Sequence, residues 1–491
     1  MTVVKHTRRG AVLVAVMLSM SMVAFEATVV ATAMPQIAAE LGDLSLYSWV
    51  FTAYLLAQTA LTIVGGKLAD VYGRKPVILS GVAVFVLASI AAGFAQSMMM
   101  LIIARLLQGV GAAALQPAAL TIIGDLYPGR ERGKIQGYLA GVWAVSAVIG
   151  PLLGGVIVDW LTWPWIFWIN VPLGLIAAEV FRRYFHEPEQ ARFASVDWIG
   201  TALLTLTICA VMILIGEGLR AGPLVLVTTA AIALVGLGLF IVQQRRSANP
   251  IISLSLWRRR RIAVANAATL FSGGALMGLT AMLPIYVQVV LDASPIVAGM
   301  ALTIMMVGWP MGTMVAARQY HQRGPRILMI AGGVFLPVGA AVLLFLQPIS
   351  SPWLAGVSSL VMGLGMGLIS VTSLMTIQEA TEVSERGAGT ASNLFARNLG
   401  NTLGAAILGG IVSVRLYGDE GLGASTDELR TALLSSAGTA TDMALRTTLQ
   451  EALHLAFFAT FAMAVMVTIV ALLMPPGLPE RDAHITEHPH P

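Results

Sequence analysis

Apolar residues in this chain run on for about twenty positions at a time, and short polar stretches separate the runs. A helix of that length crosses a bilayer, at ~1.5 Å per residue over a hydrocarbon core of ~30 Å. The pattern predicts about fourteen spanning helices. Six lie near Ala11–Ala33, Tyr47–Ala69, Pro76–Ala95, Met98–Ile123, Ile135–Asp159 and Trp163–Tyr184. Two follow near Trp198–Gly216 and Leu224–Val242. The rest lie near Arg261–Val290, Ile296–Ala317, Ile327–Leu346, Trp353–Ile377, Gly387–Val414 and Leu453–Leu473.

Composition supports an all-α polytopic membrane protein. Of 491 residues, 57% are hydrophobic and 11% charged. A single water-soluble core stops growing near ~250–300 residues and does not use so much apolar surface. Spans that must match lipid do use it, and the 49 glycines let such helices approach closely. Cys209 is the only cysteine, so neither a disulfide framework nor a thiolate metal site is expected. Lys5, Arg8 and Arg9 precede the first run, and Ala31-Thr32-Ala33 resembles a cleavage site. The run exceeds the ~7–15 residues of a signal-peptide core, however, and reads as a retained span.

Charge sets the expected topology. Lys67/Arg74/Lys75, Arg130/Arg132/Lys134, Arg182/Arg183/Arg192, Arg245/Arg246, Arg258 to Arg261 and Arg318/Arg323/Arg326 fall in the N-terminal tail's set of loops. About 23 basic residues share that side and about four the other, which makes the rich side cytoplasmic with both termini inside. Because the basic residues serve topology, the net charge of +4 implies no nucleic-acid partner. Arg258 to Arg261 read as an anchor that also meets anionic lipid headgroups. The segment His186-Glu187-Pro188-Glu189 reads as a solvated hinge. The long outside segment 417–451, helical in pattern around Glu428–Leu434 and Met443–Leu453, is either a surface insertion or a cap over an exit path. The tail with His484, His488 and His490 reads as a disordered end rather than a metal site.

Three charges interrupt the spans: Glu26, Arg105 and Arg397. A charge at mid-membrane costs ~2.5–3.5 kcal/mol on insertion scales, so each needs a partner or a task. Glu26 lies seven residues before the expected outer end of helix one, or ~10 Å inward, and Arg105 is as deep in helix four. Arg397 has no evident acid at its level, so anion binding and a snorkelling, packing role both stand for it. Tyr54, Gln58, Gln116, Tyr286, Gln288 and Asn393 join Arg397 as candidates to line a substrate cavity; helix-packing polar residues follow the same pattern. No nucleophile–base set, metal cluster or phosphate loop is present, so an enzyme is not expected.

Four motifs carry a resemblance. Gly65-Gly66-Lys67-Leu68-Ala69-Asp70-Val71-Tyr72-Gly73-Arg74-Lys75-Pro76 has the glycines of a tight reversal and an acid placed to accept bonds from helix N-termini. The others are Arg105-Leu106-Leu107-Gln108-Gly109, the helix-five run Gly150-Pro151-Leu152-Leu153-Gly154-Gly155, and Phe25-Glu26-Ala27-Thr28-Val29-Val30 through Pro35. Together they resemble the major facilitator superfamily, in its fourteen-helix drug:proton antiporter branch. Trp163-Pro164-Trp165-Ile166-Phe167-Trp168-Ile169-Asn170-Val171-Pro172, Pro284 to Gln288 and Arg386 to Ala391 extend the likeness over nearly the whole chain. Gly312, Arg318, Gly324 and Arg326 make a weaker echo of the first motif, as two related halves would.

That resemblance implies two six-helix bundles, 1–184 and 246–474, with a linker of two extra helices at 185–245 and a cytoplasmic tail from 475 to 491. It implies gating by Asp70 and Arg74 on a turn shaped by Gly66 and Gly73. It also implies an antiporter motif at Gly150, Pro151, Gly154 and Gly155, and proton coupling by Glu26 and Arg105. Glu26 stands where the family usually has Asp. A role for Glu26 and Arg105 in merely joining two helices remains the alternative. The implied activity is proton-driven export of lipophilic, often cationic compounds across a bacterial-type inner membrane, with lipid, siderophore or metabolite export as the alternative. The expected partners are those compounds, protons and membrane lipids, with a monomeric chain, no metal and no cofactor beyond the proton gradient.

Overall fold

The computed structural model describes residues 7–41, 46–127, 129–187, 197–216, 223–247, 256, 258–293, 295–417 and 440–477. All regular structure among them is helical. Ten helical stretches there are long and apolar enough to cross a membrane. The chain divides into two compact units, 1–259 with 377–395, and 260–376 with 396–491.

In the first unit, α1 (Arg9–Leu41) packs on α5 (Gly129–Trp160), α4 (Met98–Leu126) and α7 (Asn170–Tyr184). Helix α2 (Tyr47–Tyr72) lies along α4, and α3 (Arg74–Gly93) lies along α4 and α7. Lipid tails are as apolar as leucine, so close packing rather than water exclusion holds such helices together. A Cβ at Gly109 would lie 2.4 Å from the Tyr54 carbonyl oxygen, so only glycine lets α4 come this near α2. A short α6 (Trp165–Trp168) precedes α7; Pro172 has no N–H to give the Trp168 carbonyl, so one helical bond is missing there although Ile169 keeps a helical backbone. The pair α8 (Trp198–Gly216) and α9 (Pro223–Arg246) pack on each other, and α8 also touches α2.

In the second unit, α10 (Arg260–Met277) continues through π-helical turns at Gly278–Met282 and Tyr286–Val290. Element α11 (Pro295–Leu344) is interrupted at Gly324, whose φ of 76° and ψ of 165° are not helical. Gly73, between α2 and α3, has nearly the same backbone (φ 95°, ψ 155°). These left-handed values favour glycine, and they give physical content to the echo between the two halves. Helices α12 (Pro352–Glu379) and α13 (Arg386–Tyr417) follow; their connection, 377–395, belongs to the first unit.

Two expected boundaries are corrected. Helix α1 ends at Leu41 instead of Ala33, because Pro35 lies inside it without ending it. The last helix, α14 (Ala440–Leu472), starts well before Leu453: the helical pattern at Met443–Leu453 forms a helix, continuous with the last span. Of the expected solvated hinge, Glu187 is nearly buried and bonded to the start of α3, while Pro188 and Glu189, like residues 418–439 and the tail from 478, lie outside the described residues.

Candidate functional site

The first unit holds a polar cluster within its apolar packing. Below it Met22, Val23, Phe85, Ala112 and Leu115 form one apolar group; above it Val29, Val30, Val50, Leu101 and Phe167 belong to another. Between them Glu26 and Arg105 are each 1% exposed. The Arg105 Nη1 donates to Glu26 Oε1 and, at 2.9 Å, to Gln108 Oε1. Its Nε reaches the Val50 carbonyl at 3.1 Å, and its guanidinium lies 4.5 Å from the centre of the Tyr54 ring. Gln108 Nε2 donates to Ser89 Oγ at 2.8 Å, and Ser89 in turn donates to the Phe85 carbonyl. Asn170 Nδ2 donates to Glu26 Oε2 at 2.8 Å.

Five helices, α1, α2, α3, α4 and α7, thus meet on one ion pair. Removing one member of such a pair leaves the other charge buried and uncompensated, at a cost of ~3–5 kcal/mol. The arrangement can hold an ionised carboxylate away from water. It can also let that carboxylate exchange its counter-charge if the helices move.

A second cluster surrounds the Gly73 turn. Asp70 accepts the backbone N–H groups of Gly387 at 2.9 Å and Ala388 at 2.7 Å, in the first turn of α13. A carboxylate is favoured there by the unpaired N–H groups and the helix dipole. Arg74 donates to the Val383 carbonyl at 2.6 Å and pairs with Asp125 at 3.2 Å, Glu187 at 3.5 Å and Asp70 at 3.8 Å. Asp125 also binds Arg386 at 2.9 Å. Glu187 accepts the N–H groups of Arg74 and Lys75 and so caps α3, while Lys75 Nζ donates to the Arg182 and Phe185 carbonyls at the end of α7. Gly66 makes this contact possible, since a Cβ there would lie 2.3 Å from the Ala391 Cβ.

The other expected residues are divided between the two units: Gln58, Gln116 and Asn393 in the first, Tyr286, Gln288 and Arg397 in the second. Gln58 Nε2 donates to Gln116 Oε1 at 3.1 Å across the α2–α4 seam. Tyr286 gives its hydroxyl to the Leu346 carbonyl at 2.9 Å and packs on His454 and Phe457. Gln288 is exposed, and Asn393 is buried. Arg397 donates to Ser370 Oγ at 2.9 Å. Gly150 and Gly154 are buried within α5; Pro151 and Gly155 lie in the same helix. No cluster of metal-ligating side chains occurs among the described residues.

Sequence reasoning quoted Gln108, Asn170 and Arg386 only within motifs and Glu187 only in a hinge, gave none of them a role in the site, and did not name Asp125. Gln108 stands three residues beyond Arg105 and so shares its helix face. Asn170 is a lone amide in an apolar span. Asp125 and Arg386 carry no comparable local signal.

The Major Facilitator Superfamily model matches residues 16–405, from α1 into α13. The chain belongs to the major facilitator superfamily. Among its relatives in this superfamily, Multidrug resistance protein 3 of Bacillus subtilis (strain 168) is 34% identical over 413 residues, 83% of this chain and 80% of that protein. Multidrug transporter protein MdtP of the same organism is 31% identical over 414 residues, 84% and 76% of the two chains. The human organic anion transporter MFSD10 has the same fold, with a TM-score of 0.62 at 13% identity over 93% of this chain and 99% of its own. The proton:xylose symporter XylE has a TM-score of 0.61 at 12% identity over 94% of each chain. The protein is therefore a multi-pass membrane transporter of the major facilitator fold.

Proposed function

We propose that the protein exports lipophilic, often cationic compounds from the cytoplasm in exchange for protons, by alternating access. The buried Glu26–Arg105 pair carries this reading: a charge pair so costly to bury is best explained by a carboxylate that takes up and releases a proton. Two relatives that carry multidrug names, each about one-third identical, support the substrate class. Burial and a neighbouring guanidinium pull a carboxyl's proton affinity in opposite directions, so a small displacement of Arg105 switches it. The Asp70–Arg74 cluster is the cytoplasmic latch of this cycle, with Gly66 and Gly73 permitting its close contacts.

Fourteen spans fit this proposal. The break at Gly324 divides the 48-residue apolar stretch Val297–Leu344 into two, while α5 and α13, each 32 residues, and the apolar helix Trp198–Val211 add to the other candidates. The positive-inside count then leaves both termini in the cytoplasm of a bacterial-type cell. Purified protein in liposomes tests the reading. An imposed inward proton gradient should drive uphill efflux of a lipophilic cationic dye, and a protonophore should abolish it. Uphill efflux indifferent to the protonophore would exclude proton exchange.

A further inference from the structure

Asn170 is 1% exposed, and its Oδ1 has no hydrogen-bond partner among the described residues. Its Nδ2 is spent on Glu26 Oε2 at 2.8 Å. We propose that Asn170 reads the protonation state of Glu26 and carries it into α7, giving its amide N–H to the carboxylate and its carbonyl oxygen to the carboxylic acid. The proposal rests on the coupling role assigned to Glu26 above.

An ionised carboxylate only accepts, whereas a protonated one has an O–H to donate. A proton arriving on Glu26 Oε2 would point at the Asn170 N–H, donor against donor. A half-turn of the carboxamide, whose χ2 is soft and nearly two-fold, brings the idle Oδ1 round to accept that proton. The other groups in contact with Glu26 offer no such change. The Arg105 guanidinium can only donate. Gln108 also reaches Glu26, but its Oε1 is held by Arg105 and its Nε2 by Ser89, so neither end of its amide is idle. Asn170 is also the first residue of α7, beside the Trp168 carbonyl whose helical bond Pro172 cannot supply, where the chain bends at less cost. Reorientation at Asn170 thus acts where the helix is weakest.

Few other groups compete for the proton. Of titratable groups, α4 turns only Arg105 to Glu26 and α2 only Tyr54, whose ring is stacked under the guanidinium. Helix α3 has no titratable residue after Lys75, and α6 and α7 have none before Glu179. Helix α5 has Glu131, Lys134 and Tyr138 near its start and Asp159 near its end, with none between.

The test is the pH profile of gradient-driven dye efflux in liposomes for Asn170→Leu, Asn170→Gln and Glu26→Gln. Asn170→Leu loses a charge-assisted bond to the carboxylate and a weaker, neutral one to the acid, so the midpoint should move by the difference, about one pH unit to the alkaline side. Asn170→Gln, which keeps the amide, should restore most of the shift, with little change in dye KM in either variant. An Asn170→Leu midpoint equal to that of the unmodified protein, while Glu26→Gln has lost gradient-driven efflux, would overturn this proposal alone. If Glu26→Gln retains the unmodified pH profile, the coupling assignment and this proposal both fall. Should Asn170→Leu not fold, infrared difference spectra of the unmodified protein with ¹⁵N-labelled asparagine, recorded across a pH jump, decide the matter. A side-chain amide band that changes with the carboxyl band and is lost in both Asn170→Gln and Glu26→Gln is expected; a silent amide region refutes the proposal.

Discussion

Gly66→Ala isolates the latch without touching a charge. The added Cβ would lie 2.3 Å from the Ala391 Cβ and 2.5 Å from the Gly387 carbonyl oxygen. Carbon atoms prefer ~3.5–4.0 Å, so α2 and the α12–α13 connection must part by more than ~1 Å. Overpacking of this kind costs ~1–3 kcal/mol, and in the proposed cycle it falls on the latched form, where α2 meets Ala391 and Gly387. That is a shift of about 5–150-fold in the ratio of latched to unlatched molecules. Three charge-assisted bonds oppose it, two N–H groups on Asp70 and the Val383 carbonyl on Arg74, each worth ~1.5–3 kcal/mol. The latch should therefore loosen and not vanish. A Cys209→Ser background removes the only cysteine, and Tyr72 and Val383 are exposed enough to carry spin labels. Gly66→Ala should enlarge the long-distance population between these labels at least about fivefold and slow dye efflux. An unchanged distance distribution with unchanged efflux would refute the argument.

Arg105→Lys keeps the charge but loses the fork that reaches Glu26, Gln108 and Val50 together; we expect efflux to fall at least about tenfold in liposome assays, since Arg and Lys are not interchangeable at such sites. Arg105→Ala strands Glu26 in the membrane and should cost ~3–5 kcal/mol, read as a large drop in melting temperature in detergent. Tyr286→Phe removes one hydroxyl bond, but the Leu346 carbonyl keeps its contact with His454 at 2.8 Å. A loss of ~0.5–1 kcal/mol of stability is expected, with dye KM unchanged; a KM change of tenfold would put the Tyr286 hydroxyl in the substrate path.

The spans were legible because lipid demands long apolar runs, and their limits were not, because the demand stops at the membrane surface. Helix α1 runs on past Ala33 through Gln36 and Glu40, where polarity no longer argues for or against a helix. The helical pattern at Met443–Leu453 was legible, but its polarity assigned it to the outside segment and not to the helix α14 that it begins. Glu26 and Arg105 were conspicuous as charges out of place, and the structure brings them together. The rest of their network was not, since an amide such as Asn170 or Gln108 is an ordinary packing residue until its neighbours are known. Asp125 and Arg386 are 261 positions apart and meet only through the fold. Tyr286 runs the other way: an aromatic hydroxyl in a span invited a binding role, and in the structure it donates to the Leu346 carbonyl.

The central claim is that Glu26 carries the proton. Its most direct measurement is gradient-driven efflux by purified Glu26→Gln and Glu26→Asp in liposomes, alongside the unmodified protein. Glu26→Gln should be folded, bind dye and let it equilibrate, yet fail to move it uphill at any proton gradient. Glu26→Asp should keep substantial transport. Uphill, proton-dependent efflux by Glu26→Gln at the unmodified rate would contradict the account and leave the buried pair a purely structural join between α1 and α4.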